Sequence, residues 1–96
     1  MFTVTVHTIL GIKKILGQRA LDISVPEGCT VGELLEIMKK TWGENLASLL
    51  FEPNSSSLLP HIVLMVNGRD IRFLNNMETV LQDGDEILIL PPVGGG

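Results

Sequence analysis

The sequence predicts an α+β fold, a mixed sheet of about four to five strands covered on one face by one main helix. Three observations carry this. Residues 31–42 place apolar groups at helical spacing behind an N-terminal capping signal. Runs of strand length and strand-like pattern lie on both sides of it, at 2–6, 21–25, 61–66 and 86–90. The chain has 96 residues, 45% of them hydrophobic and 19% charged, which suits a single globular domain and argues against disorder.

Phe2-Thr-Val-Thr-Val6 alternates apolar and polar, the period of a half-buried strand. Gly11 and Gly17 bracket Ile12-Lys-Lys-Ile-Leu16, which reads as a short turn-like stretch. Leu21-Asp-Ile-Ser-Val25 alternates again and stops at Pro26-Glu-Gly28. With the reversal at Gly17-Gln18, the first two strands form an antiparallel pair. Thr30-Val-Gly-Glu33 is a capping box: the hydroxyl accepts from the amide three residues on, and the glutamate reaches back. Val31, Leu34, Leu35, Met38 and Trp42 then share one helical face, and Gly43 stops the helix. Leu46, Leu49 and Leu50 suggest one or two further helical turns. Glu52-Pro-Asn-Ser-Ser-Ser57 reads as an exposed, mobile polar loop.

His61-Ile-Val-Leu-Met-Val66 is almost continuously apolar and predicts a central strand covered on both faces or nearly so. Asn67-Gly68 supplies the two positive-φ positions of a type I′ hairpin turn, with Arg69–Phe73 as the short returning strand. Asn75-Asn76 mark a loop and Gln82-Asp-Gly-Asp85 a tight turn. Glu86-Ile-Leu-Ile-Leu90 is the last strand, ended by Pro91-Pro92. A hairpin, a helix, then further strands fit together when the first strand pairs parallel with the last in the middle of a mixed sheet. That arrangement is the β-grasp. It divides the chain into a domain over 1–90 and a flexible tail over 91–96.

Charge and composition exclude several functions. Seven Lys and Arg against eleven Asp and Glu leave a net charge of −4. The cations are scattered and the aromatics few, so a nucleic-acid surface is not expected. Mild acidity suits a partner with a basic surface, and equally serves solubility alone. No apolar run reaches the length of a membrane span, and no leader-like pattern opens the chain, which predicts a cytoplasmic protein without membrane contact. One cysteine and two histidines cannot form a closed zinc site, and no metal is expected. No phosphate loop, nucleophile–histidine–acid set or carboxylate pair is present.

The most informative residues are the last six, Pro91-Pro92-Val93-Gly94-Gly95-Gly96. Three glycines stabilise a fold poorly, because glycine loses the most backbone entropy on ordering. Lacking Cβ atoms, they suit a thin tail that threads a narrow channel and presents its own α-carboxylate. A frayed end or a linker has the same composition.

Leu81-Gln-Asp-Gly-Asp-Glu-Ile87, followed by Leu90-Pro-Pro-Val-Gly-Gly-Gly96, resembles the C-terminal signature of the molybdopterin synthase small subunit, the sulfur-carrier branch of the ubiquitin-like proteins. Val66-Asn-Gly-Arg69 and Val25-Pro-Glu-Gly-Cys-Thr-Val-Gly-Glu-Leu34 also match, so the resemblance spans nearly the whole chain. Leu90 stands where many members carry phenylalanine, and Gly94 where alanine or serine is commoner.

The resemblance implies that an E1-like adenylyltransferase activates the Gly96 carboxylate with ATP, which the partner binds; the carrier itself holds no cofactor. Sulfur from a persulfide donor displaces AMP and leaves a thiocarboxylate. The loaded tail, Pro91 to Gly96, then enters the molybdopterin synthase large subunit in a hetero-oligomer and donates sulfur for the dithiolene that holds molybdenum or tungsten. Catalytic groups would lie on the partners. Two other readings share the tail: a protein modifier joined to target lysines through Gly96, and the sulfur carrier of thiamine synthesis, whose chains are shorter and lack the stretch 44–60.

A thin tail confers little specificity, so a body surface must dock as well. Leu90, Phe73 and Leu74, near the last strand, are the candidate apolar anchors. Cys29, the only thiol, precedes the helix cap and reads as inert packing. His7 and His61 read as ordinary surface or edge residues, Lys13, Lys14, Lys39 and Lys40 as solvated, and Asp83 and Asp85 as turn formers.

Overall fold

A computed structural model describes residues 1–53 and 57–90. The middle of the predicted 52–57 loop and the whole 91–96 tail lie outside the described residues. Five strands form one mixed sheet: β1 (Phe2–Thr8), β2 (Ala20–Val25), β3 (Val63–Val66), β4 (Arg69–Asp70) and β5 (Glu86–Leu90), in the spatial order β2-β1-β5-β3-β4. β1 pairs antiparallel with β2 and parallel with β5, as the β-grasp reading required. Three helices accompany them: α1 (Leu10–Leu16), α2 (Val31–Trp42) and α3 (Glu44–Leu50). No helix among the described residues is long and apolar enough to cross a membrane.

α2 has the predicted bounds, and its capping box is complete. The Glu33 amide donates to Thr30 Oγ1 at 3.2 Å, and Glu33 Oε1 accepts from the Thr30 amide at 3.3 Å. Val31, Leu34, Leu35 and Met38 are buried, and Trp42 packs at the margin of the core. They meet one face of the sheet, built from Val4, Val6, Leu64, Val66, Ile87 and Ile89. The helix start is tied to the segment before β5: the Val31 amide donates to Thr79 O at 2.9 Å and the Leu81 amide to Cys29 O at 2.8 Å. Gly32 sits within this seam, where a Cβ would lie 3.2 Å from the Met77 carbonyl oxygen. Lys39 is not merely solvated, since its ammonium stands 5.4 Å from the Phe51 ring centroid.

Three elements differ from the sequence reading. Residues 10–16 are a helix, not a turn-like stretch, and the β1–β2 reversal spans that helix rather than Gly17-Gln18 alone. Seven residues are too few for an isolated helix, so packing decides. Ile12 and Leu16, one turn apart, are buried, and Gly17 closes the helix at φ 81° with its amide on Lys13 O. β3 starts at Val63, not His61, because the Ile62 amide bonds Leu59 O in a turn that holds His61 at φ 72°. β3 is not the central strand either; β5 lies between it and β1, and Val63 and Met65 are only half-buried. The returning strand stops after Asp70 because that carboxylate accepts from the Arg72 amide at 2.9 Å. This local bond turns Ile71–Phe73 into a 3-10 turn in place of a longer ladder. The Asn67-Gly68 turn has the two positive φ angles expected, 51° and 83°.

Two stability predictions follow from these contacts. Thr30→Ala removes the reciprocal cap and is expected to cost about 1 kcal/mol, lowering the melting temperature by about 4–8 °C. The Arg72 guanidinium and amide hold the Asp70 carboxyl below its ordinary value. The folded value is therefore below the unfolded one, so this pair stabilises the fold above the usual carboxylate range, and the contribution vanishes as pH falls through the depressed value. Asp70→Asn should lower stability at neutral pH and flatten its acid-side decline, as read from urea midpoints between neutral pH and pH 3.

Candidate functional site

Among the described residues, the face of the sheet opposite α2 carries no helix. The strand period sends Thr3, Thr5 and His7 of β1, Asp22 of β2, Met65 and Val63 of β3, and Glu86, Leu88 and Leu90 of β5 to this side. Register sets their neighbours. Leu90 lies opposite Val63, Leu88 lies between His7 and Met65, and Thr5 lies between Asp22 and Glu86. Apolar groups thus collect where β5 ends, at the base of the tail, and polar ones where it begins.

The predicted anchors do not form one cluster. Leu90 is half-buried on the open face at the end of β5. Phe73 is 85% exposed, on the turn that follows β4, and Leu74 beside it packs partly against the core. Two strands separate β5 from that turn in the order of the sheet. The six predicted tail residues, Pro91 to Gly96, lie outside the described residues.

The Asp-Gly-Asp turn does more than reverse the chain. Asp83 Oδ1 accepts from the Thr3 amide at 2.8 Å, the Gly84 amide donates to Thr3 O at 2.8 Å, and the Thr5 amide donates to Asp85 O at 3.0 Å. The Asn67 side chain joins the hairpin to the same turn. Its Nδ2 donates to Asp85 Oδ1 at 2.8 Å and its Oδ1 accepts from the Glu86 amide at 2.9 Å. Both aspartates are therefore occupied in fixing β5 against β1 and β3.

His7 and Glu86 are the pair that sequence reasoning missed. His7 Nε2 lies 2.9 Å from Glu86 Oε1, with the two side chains 38% and 65% exposed. They are 79 positions apart, and only the parallel β1–β5 register makes them neighbours. The sequence signal was the outward phase of each strand, which does not state which strands pair.

Cys29 is buried, and its thiol donates to the Thr30 carbonyl oxygen at 3.3 Å. Burial first, then the Glu33 charge, raises its pKa, which disfavours the thiolate. Among the described residues, no group of three or more His, Cys, Asp or Glu is placed to hold a metal ion. In the native chain Cys29 should react with a disulfide reagent far more slowly than in urea, and equal rates in the two states would show an accessible thiol.

The ThiS family matches residues 11–96 of the chain. Small archaeal modifier protein 3 of Haloferax volcanii is 33% identical over 84 residues, covering 88% of each chain. Sulfur carrier protein CysO of Mycobacterium tuberculosis is 33% identical over 95 residues, covering 98% of this chain and 97% of its own. Among solved structures, small archaeal modifier protein 1 of Methanosarcina acetivorans superposes with a TM-score of 0.81 at 31% identity, covering 100% and 98% of the two chains. The BexX/CysO complex of Amycolatopsis orientalis contains a chain matched at 0.73 and 29%, covering 97% and 99%. A putative molybdopterin converting factor subunit 1 of Pyrococcus furiosus matches at 0.72 over 97% and 100% but at 23% identity, a likeness of fold. This chain belongs to the ThiS family of ubiquitin-like, β-grasp sulfur carriers and modifiers.

Proposed function

We propose that the α-carboxylate of Gly96 is the working group of this protein. An E1-like enzyme binds ATP and adenylates that carboxylate with release of pyrophosphate; hydrosulfide, or a persulfide followed by a thiol that reduces the acyl disulfide, displaces AMP; the resulting thiocarboxylate passes its sulfur to a partner enzyme. The observation that carries this reading is the position of Leu90. It ends the central strand on an apolar, helix-free sheet face, so a partner seated on that face receives the chain that follows. Full-length similarity to a sulfur carrier protein supports the chemistry, and the BexX/CysO complex supports a protein partner.

The recipient in this proposal is a pterin precursor held by a molybdopterin synthase large subunit, which would build the dithiolene that binds molybdenum or tungsten. The Asp-Gly-Asp turn and the Pro-Pro-Val-Gly-Gly-Gly tail support it. A second reading, conjugation of Gly96 to target lysines, is favoured by the modifier protein that is 33% identical.

Deleting Gly95 and Gly96 is expected to abolish sulfur loading while leaving the melting temperature unchanged, and Cys29→Ser is expected to load like the parent. Intact mass after incubation with an E1-like enzyme, ATP and a sulfide source reads both, as an exchange of one oxygen for sulfur. Loading by the truncated chain, or a mass gain that dithiothreitol removes, overturns the assignment to Gly96. Adding the loaded chain to a large subunit and a pterin precursor, against adding it to a lysate and searching for Gly–Lys isopeptides, separates the two recipients.

A further inference from the structure

We propose that the open sheet face docks the E1-like activating enzyme in one orientation, with an apolar ridge of that enzyme on Leu88, Leu90, Val63 and Met65 and one of its Lys or Arg side chains on Glu86. This rests on the carrier reading and adds the polarity and chemistry of its docking surface. The face is divided along β5. Leu90 and Leu88 lie toward the tail, against Val63 and Met65, whereas Glu86 lies at the other end beside Thr5. Four strand steps separate Leu90 from Glu86, about 13 Å.

The carboxylates at the polar end are not equivalent. Asp22 accepts the Thr5 hydroxyl at 2.8 Å, and Asp83 and Asp85 hold backbone amides and Asn67. Glu86 is different. It is largely exposed, only its Oε1 is engaged, by His7, and its Oε2 has no partner among the described residues. His7 holds this carboxylate at the rim of an open cleft of ≈ 430 Å³, whose lining includes His7, Asn67, Glu86 and Leu88. An apolar flank at Leu88 beside a carboxylate matches a side chain with an aliphatic stem and a cationic head.

Charge points the same way. The chain carries −4, and β1, β2, β3 and β5 send no Lys or Arg to this face; at β4 the register sets Asp70 opposite Met65, and the Arg72 guanidinium beside it is held by the Asp70 carboxylate at 2.7 Å. A basic residue on the partner, about 13 Å from the mouth of its tail channel, would fix the direction in which the carrier lies. An apolar patch alone permits several rotations; one charge at its far end selects among them.

The test uses the full chain, a purified E1-like activating enzyme and ATP, with pyrophosphate release measured against carrier concentration at low and high salt. Glu86→Gln is expected to raise KM about fivefold, Glu86→Lys more than about tenfold, with kcat within about twofold, and the salt dependence of kcat/KM should flatten in Glu86→Gln. Glu78→Gln makes the same charge change on the Asn76–Glu78 turn, which packs by α2. Equal effects of Glu86→Gln and Glu78→Gln would reduce the result to net charge and overturn the inference, as would an unchanged KM in Glu86→Lys. Wild-type chain that is not adenylated, or is adenylated without Gly95 and Gly96, overturns the carrier reading and this inference with it. That failure shows in the absence of any Glu86 variant.

Discussion

β1 and β5, from opposite ends of the chain, lie side by side in parallel register, and the remaining structure depends on that pairing. Thr5 to Thr8 meet Glu86 to Ile89, and the adjoining Asp-Gly-Asp turn bonds back to Thr3 and Thr5. Parallel neighbours need a long crossover, and nearly the whole chain serves as one here. Closing so long a loop is entropically unfavourable. The fully buried Val4, Val6, Ile87 and Ile89, packed under α2, offset that cost. Without the pairing there is no central strand, no continuous face for α2 and no common surface for His7 and Glu86.

The same pairing divides the labour between the two sheet faces. One is covered by α2 and holds most of the apolar burial. The other carries no helix among the described residues, and along β5 it has apolar groups at the tail end and polar ones at the far end. In the proposed function the terminal carboxylate does the work, and the part of the fold is to supply a rigid sheet and a surface that a partner recognises. The seam joining Cys29–Val31 to Thr79–Leu81 supplies rigidity by fastening the start of α2 to the segment that leads into β5. Gly32 belongs to this device, because a side chain there would press on the Met77 carbonyl.

Functional chemistry and folding chemistry are kept apart in this chain. Cys29 is occupied by packing and a hydrogen bond to Thr30, and its buried thiol resists ionisation. Asp70 and Arg72 form a turn clamp, and Asp83 and Asp85 close a turn. Cys29, Asp70, Asp83 and Asp85 are thus each engaged in contacts that hold the fold.

The order of the strands, the bounds of α2 and β5, the capping box and the Asn-Gly turn were legible in the amino-acid sequence, because the patterns that mark them are local. Thr30 and Glu33 find one another locally, and so do the turn positions 67 and 68. The tail composition, which first suggested the functional reading, is likewise a linear signal. Tertiary structure decided the rest. α1 exists because Ile12 and Leu16 have a core to enter. The ladder after Asn67-Gly68 is short because Asp70 captures the Arg72 amide. β3 yields the centre of the sheet to β5, and His7 meets Glu86 across 79 positions. A strand's alternation states which side chains share a face, whereas the identity of the neighbouring strand is a long-range choice made by burial and register together.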